Sequence, residues 1–90
     1  MTLKSYNFTK CFIGANGISV SAGFSTPDVR EARVKTAAID GSRKAYVLSD
    51  HSKFDKITSA TFIPLNRATI ITDKLLDKKY AEYTSVKEVL

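Results

Sequence analysis

Apolar side chains come in short unbroken runs along this chain, with polar stretches between them. Three runs stand out, Lys10–Ile13, Ala45–Leu48 and Thr69–Thr72. None alternates polar with apolar residues. A continuous run of about four residues rich in β-branched and aromatic types predicts a strand covered on both faces, as in a parallel sheet. Between the first two runs the spacing predicts a helix. Thr26 reads as its N-cap, Pro27 as its first residue and Asp28 as first-turn negative charge. Val29, Ala32, Thr36 and Ile39 form its inward stripe, and Gly41 lies near its stop, with Arg43 and Lys44 at or just past the end. A second helix is predicted from Lys74 to about Tyr83, with Leu75, Leu76, Tyr80 and Tyr83 on one face and Asp77, Lys78, Lys79 and Glu82 in water. Val86–Leu90 fits either a last strand or the fraying end of that helix.

This alternation of strands and helices predicts an α/β fold, a parallel sheet with flanking helices joined by right-handed crossovers. Open sheets of this kind bind ligands at the carboxyl ends of their strands, which directs attention to the loops after the runs. Gly14-Ala15-Asn16-Gly17-Ile18 follows the first. Its glycines permit positive φ and close approach of a ligand to the main chain; a plain turn leaving a strand reads the same way. Gly23-Phe24-Ser25-Thr26-Pro27-Asp28 leads to free backbone N–H groups at a helix N-terminus, suited to an anion or simply capped. Glu31 and Lys35, four apart, make either an exposed helix ion pair or a carboxylate and an ammonium aimed at sugar hydroxyls or phosphate. Ser49-Asp50-His51-Ser52-Lys53-Phe54 follows the second run and is the densest polar cluster in the chain, with an Asx-turn at Asp50 as its structural reading. His51 has no His or Cys at ligand spacing, so no metal is expected.

Composition narrows the picture. Ninety residues make one domain or a piece of one, and a chain this short buries only about 60% of its unfolded surface. The lone Cys11, inside an apolar run, excludes an internal disulfide framework and reads as a buried thiol in a reducing compartment. No apolar stretch is long enough to cross a bilayer, and the first residues lack a signal-peptide layout, so a soluble cytoplasmic protein is expected. The net charge of +5 raises nucleic-acid binding, but the basic residues are scattered and interrupted by acidic ones. They read as a mixed solvated surface, with anionic small molecules as the next reading. No helix-turn-helix fits within the chain, and an aromatic stacking platform is lacking.

Several segments taken in order resemble a known family. Phe12-Ile13-Gly14-Ala15-Asn16-Gly17-Ile18, Gly23-Phe24-Ser25-Thr26-Pro27, Glu31-Ala32 with Val34-Lys35, Tyr46-Val47-Leu48 with Asp50, Ser52, Lys53 and Phe54, and Pro64-Leu65 with Ile70-Ile71-Thr72-Asp73 look like the second half of the DeoR-type C-terminal sensor domain. The match is collinear over roughly residues 8–73. The resemblance implies a partial Rossmann-like sheet, similar to the sugar-phosphate isomerase and CoA-transferase-like folds. It implies a module that binds a phosphorylated sugar in a transcription regulator, commonly a repressor of sugar metabolism, without a cofactor. By the same resemblance Gly14, Ala15, Asn16 and Gly17 form one wall of the effector pocket, Glu31 and Lys35 line it, and Asp50 and Lys53 close it. The related isomerases carry acidic residues in the first loop. Asn16 is neutral and suits hydrogen bonding to a hydroxyl better than proton transfer, so no catalytic residue is assigned. A sugar-phosphate isomerase or deaminase fragment is the alternative.

The family's winged helix-turn-helix and the first half of its sensor have no counterpart here, so the expectation is a single partial domain over 1–90 that meets DNA only through a missing N-terminal domain. Two consequences are expected. The sheet should end in an unpaired edge near Lys10–Ile13, favouring a homo-oligomer. Effector affinity should be weak or lost, because each absent charge-assisted hydrogen bond to phosphate removes about 1.5–3 kcal/mol.

Overall fold

The three apolar runs lie side by side and point the same way. A computed structural model describes residues 8–89. In chain order the elements are strands β1 (Phe8–Gly14), β2 (Gly17–Ser19) and β3 (Gly23–Thr26), helix α1 (Val29–Asp40), and strands β4 (Ser42–Ser49), β5 (Ala60–Ile63), β6 (Thr69–Thr72) and β7 (Val86–Glu88). Single turns of 3₁₀ helix occupy His51–Lys53 and Leu65–Arg67, and a five-residue one spans Lys78–Glu82. β1, β4, β6 and β7 form a parallel sheet in that order, so β1 is an edge strand among the described residues.

Register explains the core. Ile13, Val47, Ile70 and Val86 align in one row across all four strands. Val47 and Ile70 are fully buried, with Ile13 and Val86 packed against them. Helix α1 packs on β1, β3, β4 and β5, burying Ala32 and Ile39. The opposite face of the sheet is open among the described residues. Phe12 is 59% and Leu48 45% exposed, and Phe12 stacks on Tyr46 at 5.0 Å. The expectation that these strands are covered on both faces is therefore corrected. The helix lies on one face, and nothing described lies on the other.

A second sheet was not foreseen. β2, β3 and β5 pair antiparallel, turning two expected loops into a hairpin. Its strands are three and four residues long and carry Gly, Ser and Thr, which read as loop chemistry. Ser25 and Thr26 are nevertheless fully buried. Ser25 Oγ accepts the Thr58 amide at 3.0 Å, and Gly23 makes the turn with φ of 76°.

Three other local expectations change. Asp28, not Thr26, caps α1, accepting the Arg30 amide at 2.7 Å. Thr26 is held extended by pairing with Ala60 and by the proline that follows it. The inward stripe loses Val29, which is 54% exposed; Arg43 and Lys44 do lie just past the helix end, within β4. The helix expected over Lys74–Tyr83 shrinks to the 3₁₀ turn, because Asp77 caps at Lys79 and only Tyr80 of the four apolar residues is buried. One buried anchor and the partly buried Leu75 do not stabilise a ten-residue helix. Val86–Glu88 is a strand; Leu90 and residues 1–7 lie outside the described residues.

Candidate functional site

The loop after β1 and helix α1 meet at the carboxyl end of the parallel sheet. Glu31 and Lys35 do not pair with each other. Lys35 Nζ donates to the Gly14 carbonyl at 2.8 Å and lies 5.5 Å from the centre of the Phe62 ring. Glu31 Oε2 accepts from the Thr26 hydroxyl at 3.0 Å, and Asn16 Oδ1 is 3.3 Å from the same hydroxyl. One hydroxyl proton serves one acceptor at a time, so the Thr26 hydroxyl donates to the nearer Glu31 Oε2 or to Asn16 Oδ1, not to both at once. The Asn16 amide in turn donates to the Ser25 carbonyl at 2.9 Å. Gly14, Ala15, Asn16, Gly17, Glu31 and Lys35 thus form one cluster, with Thr26 as its unforeseen hub. No local signal separates a strand-end Thr of this kind from an N-cap.

The glycines of this loop act otherwise than expected, since neither has positive φ. At Gly17 a Cβ would stand 2.5 Å from the Lys56 carbonyl oxygen, so the close approach is by the protein's own main chain. At Gly14 a Cβ would meet nothing within 4 Å.

Asp50 and Lys53 occupy the neighbouring loop. Gly14 pairs with Leu48, and Ile18 bridges to Phe54 in parallel, so residues 15–17 and 49–53 run beside each other. Tyr80 and Asp55 lock that arrangement. The Asp55 amide donates to the Ile18 carbonyl at 2.7 Å. The buried Tyr80 hydroxyl lies 2.6 Å from Asp55 Oδ1 and 3.1 Å from the Ile18 oxygen. Burial, then the hydrogen bond to Asp55, pushes that hydroxyl up to about 12. Asp50 makes the Asx-turn, accepting the Ser52 amide at 2.8 Å and the Ser52 hydroxyl. The hydroxyl bond, then the amide bond, holds its carboxyl below the usual range. No hydrogen bond among the described residues joins Asp50 or the Lys53 side chain to the Gly14–Gly17 cluster.

Two further residues sit on this rim. Asp73, just past β6, accepts from the His51 amide and pairs with His51 Nδ1, both at 2.8 Å. The His51 ring bond lowers the Asp73 carboxyl. A charged residue directly after an apolar strand run was the available signal for Asp73. At the opposite end of the sheet, Arg43, Lys44, Arg67 and Lys87 border a groove of about 560 Å³ with Tyr46 and Tyr83. Basic residues scattered in sequence are gathered there in space. Among the described residues no cluster of three or more His, Cys, Asp or Glu is placed to hold a metal ion, and no helix is long and apolar enough to cross a membrane.

A parallel α/β sheet with these strand-end loops has a counterpart among known families. The family model described as the DeoR C terminal sensor domain matches residues 1–74, and the chain belongs to that family. Among curated proteins it is 44% identical over 92 residues to the "Uncharacterized HTH-type transcriptional regulator FruR" of Bacillus subtilis (strain 168), a match that covers 99% of this chain and 37% of that protein. It is 33% identical to the HTH-type transcriptional regulator IolR of the same organism (97% and 35% covered). It is 29% identical to the deoxyribose operon repressor of Escherichia coli (strain K12) (98% and 35% covered). The chain spans little more than a third of the length of these relatives.

Proposed function

We propose that this chain is an effector-sensing module of a DeoR-family regulator that represses sugar metabolism, and that it binds a phosphorylated sugar at the carboxyl rim of β1 and β4. The observation that carries this reading is the turning of Glu31 and Lys35 away from each other and onto the loop Gly14–Gly17 and Thr26. An exposed ion pair was open to them at that spacing. Placed as they are, they offer a carboxylate and an ammonium beside a strand end where Gly14 leaves open space. Gly14, Ala15, Asn16 and Gly17 make one wall, Glu31 and Lys35 line the site, and Asp50 and Lys53 bound it from the adjacent loop. The sheet is proposed to be part of a Rossmann-like sensor fold acting in the cytoplasm without a cofactor. Contact with operator DNA is assigned to segments outside these ninety residues. The neutral Asn16 supports binding over catalysis.

Titrating the isotope-labelled chain with ribose 5-phosphate and glucosamine 6-phosphate, each against inorganic phosphate, tests this by amide shifts. Perturbation of Gly14–Gly17, Glu31, Lys35 and Asp50–Lys53 is the expected result. Shifts confined to the groove of Arg43, Lys44, Arg67 and Lys87, or any turnover of either sugar phosphate, would overturn it.

A further inference from the structure

His51 is the single histidine in the chain, and its ring is held far more firmly than an exposed side chain requires. Asp73 spends both carboxylate oxygens on it, Oδ1 on the main-chain N–H and Oδ2 on ring Nδ1, each at 2.8 Å. Thr72 Oγ1 donates to the same Oδ1 at 3.2 Å. Stapling the end of β4 to the end of β6 needs only the main-chain bond. The second bond fixes the rotation of the imidazole, and in the neutral ring it places the proton on Nδ1. Nε2 is then a lone-pair acceptor, and it has no partner among the described residues. About half of the side chain remains exposed.

The charges around the ring select what it can receive. Asp73 faces it from the end of β6, and Asp50 and Lys53 belong to its own turn. Two carboxylates against one ammonium disfavour an anion there, whereas on the β1 side Lys35 stands against the single carboxylate of Glu31, which is engaged by the Thr26 hydroxyl. We propose that His51 is a further binding residue of this rim, its Nε2 accepting a hydroxyl of the sugar portion of the ligand, and that Asp73 is the positioning residue that sets the tautomer. The proposal rests on the effector-binding reading given above. It divides the rim into a phosphate side at Lys35 and a polyol side at His51.

The lone histidine makes the test direct. Long-range ¹H–¹⁵N correlation spectra of the labelled chain, recorded above the ring's titration, should show the Nδ1–H tautomer. Ribose 5-phosphate should move the Nε2 resonance, because a hydroxyl donor then sits on that nitrogen. Inorganic phosphate should not. H51N keeps a donor where Nδ1 stands but places nothing at Nε2, so it should melt like the unaltered chain and bind roughly two- to tenfold more weakly, the loss of one neutral hydrogen bond. D73N should abolish the tautomer preference. An Nε2 resonance moved as far by inorganic phosphate as by ribose 5-phosphate, or an H51N variant that binds unchanged, overturns the proposal. If ribose 5-phosphate perturbs Gly14–Gly17 and Lys35 while the His51 ring stays silent, this inference fails and the effector reading stands. If neither responds, both fail.

Discussion

Lys35 on α1 donates its ammonium to the main-chain oxygen of Gly14 at the end of β1, 2.8 Å away across 21 residues of sequence. That bond fastens the helix to the loop that forms one wall of the proposed site. Gly14 is exposed, so water can replace the ammonium at its oxygen. The variant K35M should therefore lose less than about 1 kcal/mol of stability. Its binding of ribose 5-phosphate should fall by about tenfold or more, the loss of a charge-assisted contact of about 1.5–3 kcal/mol. Thermal melts and parallel titrations check both; unchanged binding would remove Lys35 from the site.

Two glycines three residues apart should respond in opposite ways. A Cβ at Gly17 meets the Lys56 carbonyl oxygen at 2.5 Å and Ser25 Oγ at 2.6 Å, and the backbone atom cannot swing aside. G17A should cost about 1–3 kcal/mol from overpacking. G14A enters open space and should fold within about 0.5 kcal/mol of the parent. Denaturant midpoints decide the pair. If G14A also weakens sugar-phosphate binding, the open space is where the ligand sits.

Tyr80 supplies a buried ring and a hydroxyl that joins β2 to the loop after β4. Y80F removes the hydroxyl but leaves the Ile18 oxygen its bond from the Asp55 amide, so the cost should be about 1 kcal/mol. Y80A also opens a cavity and should cost about 3–5 kcal/mol. The hydroxyl titrates higher in the folded state than its ordinary 10.0. Its contribution is therefore complete below that value and is lost as pH rises towards about 12. Y80F should flatten the alkaline limb of a stability profile.

Acid should act through three carboxylates. Asp73, bonded by the His51 ring, Asp50, bonded by the Ser52 hydroxyl and amide, and Asp55, bonded by Tyr80 and then Lys79, are all held below the ordinary range. A depressed folded value contributes stability above the ordinary carboxylate range and loses it as pH falls through the folded values. Melting temperature should hold from neutrality to about pH 4 and drop below it. D73N should show a shallower fall than the parent, as read by circular dichroism.

Phe12 exposes 59% of its surface on the open face of an edge strand. Apolar area of this kind beside unpaired backbone groups favours self-association. Light scattering should show a dimer or larger species for the parent and a shift towards monomer for F12K. A parent that stays monomeric at high concentration would sink the idea.

The parts of this molecule legible in its sequence were those whose signal is local and repeated. Continuous apolar runs marked β1, β4 and β6, and their burial on a shared row follows from β-branched side chains that pack the same way wherever the sheet forms. The edge position of β1 and the ordered loop motifs were legible too, as was the Asx-turn at Asp50, whose partner is two residues away. The antiparallel sheet was not, because Ser25 and Thr26 look like loop residues until partners at Thr58 and Glu31 absorb their polarity. The lost second helix had the right periodicity, but only Tyr80 is buried and Leu75 partly so, while Leu76 and Tyr83 stay exposed. Element order and strand direction came from patterning along the chain. Which carboxylate, ammonium or imidazole meets which loop was decided in the fold, since a hydrogen bond such as Lys35 to Gly14 or His51 to Asp73 joins residues more than twenty apart and leaves no trace in local spacing.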